Sequence, residues 1–273
     1  MRSLGIGIIG AGRIGSALAY HLARKGWRIA GLCDIDRERA REAARRVPTG
    51  IFESAEKLAR RADILFLTLP DSAIAPLAEK LGDCGNIRAR FLFHTSGIVP
   101  SRVLHLVGLD KAAFSLHPFG GITAGLSRES PFANLYFGGE GDEPARPLAK
   151  RIAADLGAIF VPIKRSGKTA YHLAASLVAN DGFALFGAGE GLLEDAGLPK
   201  EIARAMIVSI ARKAVDNYES SGLLGGLTGP ATRGDELTIA EHIVAAERSG
   251  NLDLYMAGLR KIREFLKTRE KTD

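Results

Sequence analysis

The sequence predicts an α/β protein whose first part is a doubly wound parallel sheet and whose second part is all helical. Three observations predict this. Short apolar runs alternate with helical stretches from residue 5 to about residue 120, a glycine-rich turn joins the first run to the first helix, and strand signals stop after Lys164. Such alternation builds βαβ units, in which helices cover a parallel sheet on both faces. At 273 residues the chain exceeds the usual single core of about 100 to 200 residues, so two units are expected, at 1–164 and 165–273.

The expected strands are Gly5 to Ile9, Arg28 to Cys33, Ile64 to Leu69, Arg90 to His94 and Ala112 to Leu116, with helices around 15–26, 36–46, 53–60 and 72–82. A strand near Leu135 to Gly138, a helix near Pro144 to Leu156 and a strand near Ala158 to Pro162 extend the same sheet. Amphipathic stretches then follow near 167–196, 199–219, 235–248 and 252–269, separated by Gly197-Leu198-Pro199, a glycine-rich turn at 222–229 and Gly250.

Composition narrows the class. Hydrophobic residues make up 46% and charged residues 25%, enough apolar material for the whole chain to fold. The net charge is +6, but the 37 basic residues are spread among 31 acidic ones, and the densest group, Arg37 to Arg46, has helical spacing with Glu38 and Glu42 among them. A solvated helix face explains that group, and no nucleic-acid partner is expected. No apolar run approaches the roughly 20 residues of a membrane span, so no membrane partner is expected either. With only Cys33 and Cys84 and no export-signal pattern at the start, the expected compartment is cytoplasmic. There is no HExxH, paired CxxC or carboxylate cluster, so no catalytic metal is expected.

Gly10-Ala11-Gly12-Arg13-Ile14-Gly15 follows the first strand directly and opens a helix. In that context the three glycines allow a tight turn, close approach to a pyrophosphate, and close packing of helix on strand, while the free amides of the helix start meet the phosphate charge. This is the Rossmann dinucleotide-binding pattern. Asp34 ends the second strand at close to the spacing of roughly 20 residues at which an acid binds the adenosine ribose, which favours NAD(H) over NADP(H). Two alternatives stand beside it: Arg13, Arg37 and Arg39 are near enough in sequence to hold a 2′-phosphate, and Asp34 or Asp36 would serve as a helix cap.

Ligands of an open parallel sheet bind outside the carboxyl ends of its strands. The loops there are Thr68-Leu69-Pro70-Asp71-Ser72, His94-Thr95-Ser96-Gly97 and His117-Pro118-Phe119-Gly120-Gly121. Leu69, Pro70 and Thr95 are expected against the cofactor, and Ser96 and His117 against the substrate. Asp71 and Ser72 read equally well as N-caps.

Lys168, His172, Ser176 and Asn180 fall at successive i, i+4 positions, a polar stripe on an otherwise apolar helix. Carbonyl reduction needs a hydride and a proton for the developing alkoxide, so a general acid must stand by the cofactor. Lys168 and His172 are candidates for that proton, and Asn180 for holding the substrate oxygen. An exposed lysine and a hydrogen-bonded core histidine is the bland alternative. Arg233 offers paired donors to a substrate carboxylate, with Thr228 and Asp235 beside it; equally, Thr228-Gly229-Pro230 is a turn and Asp235 a helix cap.

The two histidine loops, the stretch Lys168-Thr169-Ala170-Tyr171-His172-Leu173-Ala174-Ala175, and Thr228-Gly229-Pro230-Ala231-Thr232-Arg233-Gly234-Asp235 resemble a family of two-domain proteins. Its members join a Rossmann-like domain to a helical C-terminal domain of unknown function (DUF2520). The family resembles ketopantoate reductase, pyrroline-5-carboxylate reductase and the 3-hydroxyacid dehydrogenases. That resemblance implies a nicotinamide-dependent oxidoreductase reducing a small 2-oxo acid such as ketopantoate, or alternatively a cyclic imine acid. Two departures stand out: usual ketopantoate reductases prefer NADPH, whereas Asp34 points to NADH, and His172 occupies the place of the asparagine that follows the lysine by one turn in the related dehydrogenases. A non-catalytic NAD(P)-binding regulator is the alternative of a different class. Long apolar helices in the second part predict a homodimer.

Overall fold

The computed structural model describes residues 3–122, 127 and 129–269. Packing divides the chain into two units, Met1–Ala179 and Asn180–Asp273. The division falls later than the expected 164/165 boundary because the helix after Lys164 is anchored to the first unit by the buried side chain of Lys168.

The first unit holds seven strands, β1 (Gly5–Ile9), β2 (Arg28–Cys33), β3 (Ile64–Leu67), β4 (Phe91–His94), β5 (Ala112–Pro118), β6 (Tyr136–Gly141) and β7 (Ile159–Pro162). Its helices are α1 (Arg13–Arg24), α2 (Arg37–Ala44), α3 (Ala55–Ala59), α4 (Asp71–Asp83), α5 (Arg146–Asp155) and α6 (Lys168–Ala179). The sheet order is β2-β1-β3-β4-β5-β6-β7. Pairing is parallel from β2 through β5, antiparallel between β5 and β6, and parallel again between β6 and β7. The chain order reverses between β1 and β3, and that switch point opens a crevice at the carboxyl ends of the strands.

Both faces of the central strands β1, β3 and β4 are buried, which is why these strands are apolar without polar alternation, whereas the edge strand β7 is largely exposed. On one face Ile6, Ile8, Phe66, Phe93 and Phe114 pack with Leu18 and Leu22 of α1 and Leu148 and Ile152 of α5. On the other, Leu65, Leu67 and Leu92 pack with Leu58 of α3 and Ile74, Ala78 and Leu81 of α4. Successive residues of β3 thus serve opposite cores, as the period of two demands.

The second unit contains α7 (Asp181–Asp195), α8 (Lys200–Gly226), the short α9 (Pro230–Arg233), α10 (Glu236–Arg248) and α11 (Leu252–Arg269). Within α8, Gly222 has φ 66°, so the run kinks there. Among the described residues of this unit the buried hydrophobic side chains are Ala203, Ile239, Ala246 and Leu259. No helix among the described residues is long and apolar enough to cross a membrane.

Candidate functional site

The first half of the site is the turn between β1 and α1. Gly10 has φ 98°, a conformation glycine adopts without the Cβ penalty. At Gly15 an added Cβ would lie 1.9 Å from the Gly10 carbonyl oxygen, so helix and strand approach as closely as the motif requires. At Gly12 an added Cβ would meet nothing within 4 Å. The chain itself does not fill that space, which leaves room for a phosphate above the start of α1. The turn is held from two sides. Gly10 N donates to Cys33 O at 2.8 Å, and the Thr68 hydroxyl donates to Gly10 O at 2.5 Å. Ala11 is buried, Ile14 half-buried and Arg13 exposed.

Asp34 helps to hold this turn. Its Oδ2 accepts from Ala11 N at 2.6 Å and its Oδ1 from Asp36 N at 2.8 Å. Asp36 is the cap of α2, accepting from Glu38 N and Arg39 N. Beside the turn lies a recess of about 410 Å³ lined by Ala11, Ser16, Arg39, Glu42, Arg45 and Arg46, among others. Three guanidinium-bearing residues therefore border the place where the adenosine end of a dinucleotide meets a Rossmann sheet.

The second half stands at the ends of β4 and β5 and the start of α6. Lys168 is 2% exposed, and its Nζ donates to Ser96 O at 3.1 Å and to Ser115 Oγ at 2.5 Å. Burial lowers its pKa to about 8, against the opposing pull of Glu140 and Asp71. Ser96 spends its own hydroxyl locally, where it accepts from Ile98 N and Val99 N. His94 is fully buried, and its Nδ1 accepts from Ser96 N. Burial, then the Lys168 charge, pushes its pKa down to about 3.

His117 Nδ1 shares a hydrogen bond of 3.1 Å with the Tyr171 hydroxyl. Burial, followed by the charges of His172 and Lys168, lowers the His117 pKa to about 4, so the ring is neutral at ordinary pH. The His117 and His172 rings lie 5.9 Å apart, and both border Gly97, where an added Cβ would collide with His172 at 2.4 Å and His117 at 2.9 Å. His117 of β5 and His172 of α6 thus meet at Gly97, and Lys168 holds the neighbouring Ser96 carbonyl.

The residues expected at the site divide by location. Ser96, His117, Lys168 and His172 converge at the ends of β4 and β5, Thr95 instead borders Ile14, Leu18 and Leu116, and Leu69 lies against the glycine turn, 3.0 Å from the position of a Gly10 Cβ. Pro70 is exposed ahead of α4, and no side chain caps that helix, so Asp71 does not act as the cap its position suggested. Asn180 lies beyond the end of α6 and belongs to the second unit, as do Thr228, Arg233 and Asp235. There Arg233 is exposed and ends α9, and Asp235 caps α10 through Thr238 N and Oγ1.

Two further participants lie in stretches already singled out by their sequence, without a role of their own there, and a third, Glu140, lies outside them. Thr68 holds the glycine turn, Tyr171 holds His117, and Glu140 stands 3.8 Å from Lys168 Nζ. Glu140 left one trace, as the sole charge in the strand Gly138-Gly139-Glu140-Gly141. Gly138 has a reason of its own, since a Cβ there would lie 2.5 Å from the Tyr171 ring.

A mainly parallel sheet with a glycine turn beside its switch point is the arrangement of a Rossmann-like domain. Residues 1–118 match the Rossmann-like domain, and residues 135–262 match the domain of unknown function DUF2520, so the chain joins these two domains in that order. No curated protein matches the sequence. Among solved structures, BF3122 of Bacteroides fragilis, a proposed NADP oxidoreductase, is 25% identical with a TM-score of 0.76, covering 96% of this chain and 98% of that one. Protein TM1727 of Thermotoga maritima is 24% identical with a TM-score of 0.72, covering 97% and 99%. The 1-pyrroline-5-carboxylate reductase of Streptococcus pyogenes shares the fold at 17% identity and a TM-score of 0.66, covering 97% and 98%.

Proposed function

We propose that the protein is a nicotinamide-dependent oxidoreductase that reduces a small 2-oxo acid of the ketopantoate kind. The observation that carries this reading is one sheet edge holding both a glycine turn open at Gly12 and a pair of imidazoles at Gly97. When bound, the dinucleotide supplies the hydride; the chain must bind it, orient the acceptor and deliver a proton. The backbone from Gly10 to Gly15 binds the pyrophosphate. His117, neutral and held by Tyr171, hydrogen-bonds the substrate oxygen. His172 delivers the proton from the next turn of the helix that Lys168 anchors. Lys168 itself, with its amine committed to Ser96 O and Ser115 Oγ, is read as holding the site together rather than as the acid.

For the cofactor we favour NADP(H), which reverses the preference drawn from Asp34. Each Asp34 oxygen accepts one backbone amide, which ties that side chain to the turn, and Arg39, Arg45 and Arg46, the first two also paired with Asp36 and Glu38, place three cations around the recess beside the glycine turn. The description of BF3122 as an NADP oxidoreductase agrees. A cyclic imine acid is the second substrate class, favoured by the shared fold of pyrroline-5-carboxylate reductase. Loss of nicotinamide absorbance on mixing NADPH or NADH with ketopantoate, other 2-oxo acids and pyrroline-5-carboxylate tests both points. Oxidation of NADPH by one class, at least about tenfold faster than of NADH, is expected from charge-assisted phosphate contacts. Cofactor binding with no oxidation by any acid would turn the reading towards a non-catalytic NAD(P)-binding regulator.

The working form we propose is a homodimer joined through the helical unit. Phe183, Ile202, Ile210, Val215 and Tyr218 are each at least half exposed, and a groove of about 790 Å³ runs between α7 and α8. Apolar surface on that scale is covered by another chain in stable proteins.

A further inference from the structure

We propose that Glu140 is a positioning residue for the nicotinamide end of the cofactor, fixing both ends of the loop 95–101: one directly at Ser101, the other through Lys168 at Ser96. The inference rests on the oxidoreductase reading above and assigns a task to a side chain that reading does not use. Glu140 is 4% exposed, and a buried carboxylate is costly unless its oxygens are paired. Its partners are concentrated. Oε1 accepts from Ser101 N at 2.5 Å, and Oε2 accepts from Ser101 Oγ at 2.8 Å and from Arg165 Nε at 3.1 Å. Lys168 Nζ stands 3.8 Å away.

The other end of the loop is held through that ammonium. Lys168 donates to Ser96 O, and Ser115, which faces Glu140 directly across the β5–β6 pair, donates from its hydroxyl to the same oxygen at 3.1 Å. Between the two ends, the Ser96 hydroxyl closes the turn on Ile98 N and Val99 N. Among the groups facing Lys168, His94 and His117 are neutral and Asp71 is exposed, so Glu140 is the buried counter-charge. The loop so held carries Gly97, between the two imidazoles and over the strands on the nicotinamide side of a Rossmann sheet. A loop pre-set in this way spares binding the cost of ordering it.

Glu140→Gln keeps the shape and removes the charge. The test is to titrate wild type and variant with NADPH and with 2′-phospho-ADP-ribose, which has the adenosine and phosphate end but no nicotinamide. The expected result is a loss of about tenfold in NADPH affinity with 2′-phospho-ADP-ribose affinity unchanged. Equal weakening of both ligands, or no change in either, would overturn the proposal. The double variant Glu140→Gln/Lys168→Met, which leaves no unpaired buried ammonium, should fold and keep the selective loss; recovery of wild-type NADPH affinity would count against the loop mechanism. Wild-type protein that bound neither of these ligands nor NADH would remove the cofactor reading, and this inference with it.

Discussion

Lys168 shows how a single buried charge is written into the behaviour of the whole chain. Its folded-state pKa of about 8 lies below the ordinary 10.5, so between those values the unfolded chain binds more protons than the folded one. Stability contributed by this group therefore rises with pH across that window and is flat below it. Lys168→Met abolishes the rise. Subtracting the pH profiles of denaturant unfolding of the two proteins isolates it from other groups that titrate there, and a difference that stays flat from pH 8 to 10.5 would contradict the burial. At this scale the sequence was informative where residues announce themselves in patterns. The polar stripe Lys168, His172, Ser176 and Asn180 was visible, although α6 ends before its last member, and so were the two histidine loops. Glu140 was not, because its partners Ser101, Arg165 and Lys168 come from separate segments that only the sheet brings together.

Among elements, the strands that flank the glycine turn were the most legible. β1 and β2 have the expected bounds, since their apolar runs are closed by Gly10 and by Asp34. The glycine turn between β1 and α1 is reinforced by a neighbour in space, Thr68 at the end of β3, whose hydroxyl reaches both Ile9 O and Gly10 O. No spacing rule marks such a threonine. Later elements were less readable. The single helical stretch expected over 167–196 is divided at Asn180 into α6 and α7, and the stretch expected to stop near 219 runs on to Gly226 through the kink at Gly222. The antiparallel step from β5 to β6 was also hidden, because periodicity reports which residues are buried and carries no sign of strand direction.

For the whole molecule, the contrast between the units is the main physical fact. The first buries two large clusters, one on each face of its sheet. The second leaves Phe183, Ile210 and Val215 exposed at 74%, 67% and 64%, and its own helices bury little beyond Ala203, Ile239, Ala246 and Leu259. A second copy of the chain is the expected cover. Sedimentation at micromolar concentration should show a dimer, and Ile210→Asp should shift it to monomer with a lower melting temperature; a wild-type monomer would contradict the proposed assembly. The apolar stretches that predict this association were plain in the sequence, though which faces stay uncovered depends on packing that sequence does not display.

In the proposed function, the turn from Gly10 to Gly15 holds the pyrophosphate of a nicotinamide dinucleotide. Gly12 tests it most directly, because an added Cβ there touches nothing within 4 Å in the protein and would protrude only into the space assigned to the ligand. Gly12→Ala should therefore unfold at the wild-type temperature while NADPH affinity, measured by calorimetry, falls at least about tenfold. Undiminished NADPH affinity in a normally folded Gly12→Ala protein would mean that the pyrophosphate does not sit at this turn.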